Sequence, residues 1–381
     1  MTFFFIVVVL IVAAIHAYIG LRLIPAPRFG SRGKKMSWGL IGLSAASIPL
    51  TFIGGRYLDP GVASKLLAWC GFMALGVMGI VAGLVFVREL FLGGARLVSR
   101  GTDPSRREFL RRASSFGVLG VGGVIVAEGL VGAARPPVVE KVRVPLDDLP
   151  GALEGFRIAQ ISDTHLGPTL GRDFIADVVA RVNELEPDLI AFTGDLADGY
   201  VEHMRPVVEP LRDLRARHGA YFVTGNHEYY WRHGDWIARV QELGLDVLTN
   251  EHRVLAVGGA RLAVGGVPDV RESQRFDDRA SDPVQALAGA DDVDVKLLLA
   301  HRPKSLYGAR RAGAHLQLCG HTHGGQVFPA NLLVHLAHPV VAGLKRFGDT
   351  WVYVNRGTAY WGPPMRTGGA GEITLVELTR A

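Results

Sequence analysis

An α/β domain behind an all-α transmembrane region of about four helices is the fold class that this sequence predicts. Three observations predict it. The first third of the 381 residues consists of long apolar runs, and the remainder repeats a unit of short apolar strand, polar cluster and amphipathic helix. Five of those strands run directly into Asp, His or Asn.

The apolar runs come first along the chain. Residues 3–21, 37–55 and 66–87 are each about as long as the ~20 residues needed to cross a bilayer, and none carries a charge at its centre. Arg22, Arg28, Arg32, Lys34 and Lys35 crowd the first connection, whereas the second holds Arg56, Asp59 and Lys65. The bias of Lys and Arg toward cytoplasmic loops places the first connection inside and the N-terminus outside. After the third run comes "SRREFLRR", Ser105 to Arg112, followed by a glycine-rich apolar stretch from Phe116 to Ala134. This resembles a twin-arginine export signal, which would make the twin-arginine translocase a partner. The alternative is an ordinary basic flank before a fourth span. Either way, everything after Ala134 is expected on the extracytoplasmic side, with Glu128 near the outer interface or a cleavage site around 132–134. Residues 1–135 are thus expected to form the transmembrane region and 136–381 one extracytoplasmic domain, large enough for a single core.

Charge follows the same division. Up to Pro136 there are 15 Lys and Arg against 5 Asp and Glu, and from Pro137 onward 26 against 31. The basic balance therefore belongs to the membrane region, and the second domain has no net attraction for nucleic acid. Cys70 and Cys319, the two cysteines, lie far apart and cannot build a thiolate zinc site. Any metal must be held by His, Asp and Asn.

Past Pro136-Pro137, "VVEKVRVPLDDLPGALEG" reads as a short strand and linker, and then the repeated unit begins. "FRIAQISDTHLG" runs into Asp163 and His165, and "DFIADVVARVNELEP" has helical spacing until Pro187. "DLIAFTGDLADG" ends on Asp195 and Asp198, and "AYFVTGNHEYY" on Asn226, His227 and Glu228. "VKLLLAHRP" ends on His301 and "AHLQLCGHTHGG" on His321 and His323. Ligands of α/β sheets bind at the carboxyl ends of the strands, so these side chains are expected in one place. In an extended segment residues two apart point the same way, which would align Asp163 with His165 and His321 with His323. Glycines 194, 225, 320, 324 and 325 leave room for close backbone approach.

In this order "DTH", "GDLAD", "GNHE", "AHRP" and "CGHTHGG", spread over 163–325, resemble the signature of the calcineurin-like metallophosphoesterases. The closing "YVNRGTAYWGPPMRTGGAGEITLVEL" resembles the tail of their membrane-bound, twin-arginine-exported bacterial members, often called YkuE-like. The resemblance implies a four-layer α/β/β/α metallophosphoesterase sandwich. It gives Asp163, His165 and His323 to one metal and Asn226, His301 and His321 to the other, with Asp195 bridging both. It also makes His227 the general acid. The competing role for His227 is structural, held by Asp198 or Glu228, and Asp198 is read as orienting a ligand.

Two divalent ions with two carboxylate ligands leave a net positive site that suits a phosphate anion. A water between such ions becomes hydroxide near neutral pH, the expected nucleophile. The donor set suits manganese, iron, zinc or cobalt better than magnesium or calcium, and export in folded form, with metal loaded in the cytosol, favours manganese or iron, with zinc possible. Of the arginines that could fork a phosphate oxygen, Arg356 is preferred over Arg302 and Arg366. The segment 328–343 reads as either a core element or an interfacial lid, the latter suiting phospholipid, lipid-linked or cell-envelope phosphates. The leading reading is a phosphoesterase in the bacterial cytoplasmic membrane. The alternatives are a non-catalytic metal-binding sensor or scaffold and, more weakly, a transporter.

Overall fold

The computed structural model describes residues 2–24, 30–98, 103–272 and 280–381. Arg28, one of the basic residues expected on the cytoplasmic side, lies outside them. The chain divides into two compact units. One is Met1–Ala134 with Val327–Ala330 and Gly362–Gly368, and the other holds Arg135–Gln326, Asn331–Trp361 and Gly369–Ala381.

Among the described residues the first unit contains four helices, α1 (Thr2–Leu23), α2 (Ser31–Tyr57), α3 (Val62–Val98) and α4 (Pro104–Ala134). All four are long and apolar enough to cross a membrane. Leu10, Leu40, Leu43, Phe86 and Leu119 are exposed, as lipid-facing side chains would be, while Val12, Ile19, Ile48, Met78, Val85 and Val118 pack inside. Small residues bring the helices together. A Cβ on Gly71 would lie 1.9 Å from Thr51 Oγ1, and one on Gly20 would lie 2.6 Å from the Trp38 ring. Near the basic end, the buried Arg88 donates to Ser114 Oγ and to the carbonyls of Arg22 and Arg111, tying α3 to α1 and α4. The two late segments join this unit through Phe328, which covers Gly83, and Met365, which covers Gly76 and Gly129. Glu128 accepts the Gly368 N–H, so its carboxylate is not left unpaired.

The second unit holds two six-stranded sheets. The first runs in the order β1 (Val138–Leu146), β12 (Glu372–Arg380), β2 (Arg157–Ile161), β3 (Leu189–Phe192), β4 (Ala220–Phe222) and β5 (Asp246–Val247). The second runs β10 (Gly343–Phe347), β11 (Thr350–Val354), β9 (Leu316–Cys319), β8 (Val295–Leu299), β7 (Ala260–Gly266) and β6 (Glu251–Val257). Strands β2 to β5 are mutually parallel, as are β7, β8, β9 and β11, so the strands that lead to the polar clusters end on the same side of their sheets.

Alternation along the strands makes the layers. Ile158, Leu189 and Ala191 face Leu297, Leu299, Leu316 and Leu318 in a core between the sheets. Their neighbours Ala159, Ile190 and Phe192 face outward onto helices α5 (Arg172–Glu184), α6 (Val201–Val208) and, past the short α7 (Asn226–Tyr230), α8 (His233–Glu242). On α5 the residues Ile175, Val178, Val179 and Val182 recur at helical spacing and are all buried there. Leu298 and Ala263 likewise meet the helical segments 283–286 and 306–311 on the far side. The expected α/β/β/α sandwich is therefore observed.

One expectation changes. Among residues 330–336 none is buried, and Leu332, Leu333 and Leu336 are 62%, 59% and 85% exposed. Further on, Val340 packs with Leu306, Cys319, Val352 and Val354, and Val341 is buried. The turn after β9 carries the intervening apolar residues outward, so this stretch does not pack as a core element.

Candidate metal centre

Beyond Ile161 the chain leaves β2, and Asp163 and His165 both adopt left-handed backbone, with φ of 55° and 41°. Asp195, His321 and His323 do the same, at 56°, 72° and 51°. Such conformations are costly for non-glycine residues and persist where the surroundings over-determine them. This corrects the expectation from strand alternation: these side chains converge because each loop curls tightly past its strand.

Backbone bonds lock the loops to one another. The N–H groups of Asp163, His165 and Leu166 donate to the carbonyls of Gly194, Asp195 and Leu196. Glu228, fully buried, accepts from Gly225 N–H at 2.7 Å, Asp195 N–H at 3.1 Å and Leu196 N–H at 2.8 Å. Burial first, and then the neighbouring Asp195, push its carboxyl up to about 7. The loops approach so closely that a Cβ on Gly225 would lie 2.2 Å from Asp195 Oδ1, and one on Gly320 would lie 2.2 Å from Asp163 Oδ2. Gly324 and Gly325 have other neighbours, Arg356 and Asn331.

Two groups of donor atoms result. Asp163, His165 and His323 form one, and Asp195, His301 and His321 the other, with the atoms of each within 4.8 Å of one another. In the first, Nε2 of His323 lies 3.1 Å from Nε2 of His165 and 3.4 Å from Asp163 Oδ1. In the second, Nε2 of His301 lies 3.1 Å from Nδ1 of His321 and 3.2 Å from Asp195 Oδ2. Asp195 Oδ2 is also 3.7 Å from His165 Nε2, so this carboxylate stands between the groups. The adjacent histidines of "GHTH" thus fall into different groups.

The outer ring nitrogens show that the donor set fits a cation. His301 Nδ1–H donates to the Thr193 carbonyl at 2.7 Å, and His323 Nδ1 faces the Ala359 carbonyl at 3.3 Å. Each bond leaves the Nε2 lone pair turned inward, the arrangement found behind metal-binding imidazoles. Lone pairs 3.1 Å apart repel unless a proton or a metal ion lies between them. Burial opposes the charged form of His301, but Asp195 outweighs it and raises the ring to about 10. Burial, with His301 and Arg302 nearby, holds His321 well below the usual imidazole range.

His227 sits beside both groups, with Nε2 3.9 Å from Asp195 Oδ2 and its backbone N–H on Asp195 Oδ1 at 2.8 Å. Its Nδ1 is paired with Asp198 Oδ1, and Asp198 Oδ2 lies 3.3 Å from Nδ1 of His165. Burial works against a charged His227 ring, but Asp198 and Asp195 outweigh it and raise it to about 9. His227 can also be grouped with His165 and Asp195 as a donor.

Asn226 Oδ1, the remaining ligand expected, accepts from Arg302 Nη2 at 3.0 Å. Arg302 also lies 2.8 Å from His321 Nε2 through Nη1, and its Nε donates to Asp269 at 2.6 Å. Arg356, the arginine preferred from sequence, instead donates through Nε to the buried Glu372 at 2.7 Å, and its stem lies against Gly324. The rings of Tyr230, in the aromatic stretch that follows "GNHE", and of Trp361, which the sequence did not mark, lie 5.2 and 5.5 Å from that of His227. For Arg302 the signal was its place directly after His301.

Comparison with known proteins agrees with this geometry. Residues 156–325 match the family model described as calcineurin-like phosphoesterase. The chain is 35% identical over 326 residues to a "transmembrane protein with metallophosphoesterase domain" of Danio rerio, covering 82% of this chain and 74% of that protein. It is 38% identical over 313 residues to the Bos taurus protein of the same description, covering 79% and 70%. The "uncharacterized metallophosphoesterase YkuE" of Bacillus subtilis is 30% identical over 291 residues, covering 72% of this chain and 97% of the relative. Among solved structures, a 5'-nucleotidase precursor from Thermus thermophilus aligns with a TM-score of 0.38 and 18% identity. That alignment covers 58% of this chain and 54% of that one, so the chain spans about half the length of that structure.

Proposed function

The chain belongs to the calcineurin-like phosphoesterase family and is a membrane-associated, metal-dependent phosphoester hydrolase; from that premise we propose a two-metal reaction on the extracytoplasmic side of the membrane, with His227 as general acid. The observation that carries the reaction is the convergence of Asp163, His165 and His323 beside Asp195, His301 and His321, with Asp195 Oδ2 between them. Asn226 would complete the second group.

Bound there, two divalent ions would supply positive charge for the phosphate oxygens and acidify a water. The side chains have separate work. Asp195 spans the two groups, Asp198 fixes the ring of His227 through Nδ1, and the His227 Nε2 is thereby left to deliver a proton to the leaving oxygen. A ring raised to about 9 carries that proton at neutral pH. Imidazole, carboxylate and amide donors suit manganese, iron or zinc, and export in folded form, with metal loaded before export, favours manganese or iron.

Orientation follows from charge. Arg22, Arg32, Lys34 and Lys35 flank the α1–α2 connection, and Arg106, Arg107, Arg111 and Arg112 lie at the start of α4. Both ends being cytoplasmic puts the N-terminus and the hydrolase outside, in keeping with export through the twin-arginine translocase. As substrate we assign a lipid or lipid-linked envelope phosphoester. The exposed Leu332, Leu333 and Leu336 and the rings of Tyr230 and Trp361 beside His227 support an amphiphile.

The test is hydrolysis by the purified full chain loaded with Mn²⁺. The expected result is phosphate release that falls by about 100-fold or more in His227→Ala, consistent with loss of a general acid. Full activity in that variant would refute the proton-donor role. An amphiphilic phosphoester should be preferred over its water-soluble headgroup, and equal rates would remove the lipid assignment.

A further inference from the structure

We infer that Arg302 is the substrate-binding residue that forks the phosphate oxygens at this site, in place of Arg356; the inference rests on the two-metal reading above. Its Nε donates to Asp269 Oδ2 at 2.6 Å, and Asp269 is itself fully buried. The other oxygen of Asp269 accepts the N–H groups of Arg271 at 3.0 Å and Glu272 at 2.8 Å. One braced loop thus holds one nitrogen of the guanidinium.

Fixing Nε leaves the opposite edge of the fork, Nη1 and Nη2, aimed in a set direction. That edge reaches His321 Nε2 at 2.8 Å and Asn226 Oδ1 at 3.0 Å, two side chains assigned to the same ion. The side chain is 11% exposed, so water screens it little. A phosphoryl group held at Asn226 and His321 falls within reach of both terminal nitrogens. Its anionic oxygens are stronger acceptors than an amide oxygen, a His321 ring giving Nδ1 to an ion would carry its hydrogen on Nε2 and accept nothing from Nη1, and the planar fork matches two phosphate oxygens at once. Lysine has no such edge. Arg356 likewise gives its Nε to a buried acid, Glu372, and its Nη2 lies 3.9 Å from Glu140, whereas it is Arg302 whose contacts reach Asn226 and His321.

The experiment uses the full chain in detergent micelles, loaded with Mn²⁺, with inorganic phosphate as the probe. Bound manganese is measured by elemental analysis and phosphate affinity by calorimetry, for the wild type, Arg302→Gln, Arg302→Lys and Asp269→Asn. The inference predicts two manganese ions in each protein and phosphate binding weakened about tenfold or more in Arg302→Gln, the loss of a charge-assisted bidentate contact. Arg302→Lys should recover only part of that loss. Asp269→Asn, which keeps the guanidinium but loosens its Nε, should fall between them and the wild type. It also serves if an Arg302 variant does not fold. Unchanged phosphate affinity in these variants overturns the inference. Loss of manganese together with phosphate also overturns it, because Arg302 would then act only through Asn226 and His321. A wild-type chain that takes up no metal and binds no phosphate overturns the two-metal reading itself, and this inference with it.

Discussion

Asp198 pairs with His227 through Nδ1 and lies 3.3 Å from Nδ1 of His165 through its second oxygen, so one carboxylate backs both the proposed proton donor and a ring of the first donor group. Sequence reading weighed a structural histidine against a catalytic one at position 227. The geometry makes the two compatible, because the bond on Nδ1 leaves Nε2 turned toward Asp195, where the proposed reaction needs a proton donor.

A pH prediction follows from that pair. His227 is raised from the ordinary imidazole value of 6.5 to about 9, while its partner Asp198 is held below the usual carboxylate range despite its burial. The stabilisation of His227 is therefore fully present below pH ~6.5 and lost as the pH rises through ~9, and that of Asp198 is present above its ordinary value and lost in acid. Asp198→Asn should lower the His227 midpoint of the metal-stripped protein by about one unit or more. Histidine resonances followed by NMR across this range would read the shift, and an unmoved midpoint would contradict the pairing.

Glu228 gives a stability prediction. Its two oxygens accept three backbone N–H groups from two ligand loops, and a glutamine amide can replace only one of those oxygens. Glu228→Gln should leave at least one buried N–H unpaired and destabilise the domain by about 1–3 kcal/mol. A lower thermal midpoint, reached without change in the secondary-structure spectrum of the folded protein, is the expected outcome. An unchanged midpoint would show that the brace is dispensable.

Gly225 gives a steric one. Any Cβ there would lie 2.2 Å from Asp195 Oδ1 and 2.7 Å from the Asp195 backbone nitrogen. Gly225→Ala must push Asp195 away from His301, so bound manganese should fall while the apolar core between the sheets survives. Wild-type metal content in this variant would mean that the loops are looser than the geometry states.

These relationships divide sharply in how far the sequence revealed them. The candidate ligand clusters were legible because each sits within a few residues of the end of a mainly apolar strand, as His301 does after "VKLLLA", so strand and ligand are read from one short window. The layers were legible for the same reason, from runs such as Leu189–Phe192 that are buried throughout. Asp269 was not legible as the anchor of Arg302, since the two are 33 residues apart and no local pattern links them. Nor was the commitment of Arg356 to Glu372, which is made on a strand near the end of the chain. The left-handed turns at Asp163 and His165 escaped notice because period-two alternation describes strands, and β2 had already ended at Ile161.

Metal stoichiometry of Asp195→Asn against the wild type tests the central claim most directly. Asp195 Oδ2 lies 3.2 Å from His301 Nε2 and 3.7 Å from His165 Nε2, so a single carboxylate serves both donor groups. Elemental analysis of the folded, manganese-loaded proteins should give two ions per wild-type chain and fewer than one in Asp195→Asn, with hydrolysis lost in step. Two ions retained in the variant, or one or none in the wild type, would contradict a paired centre built around Asp195.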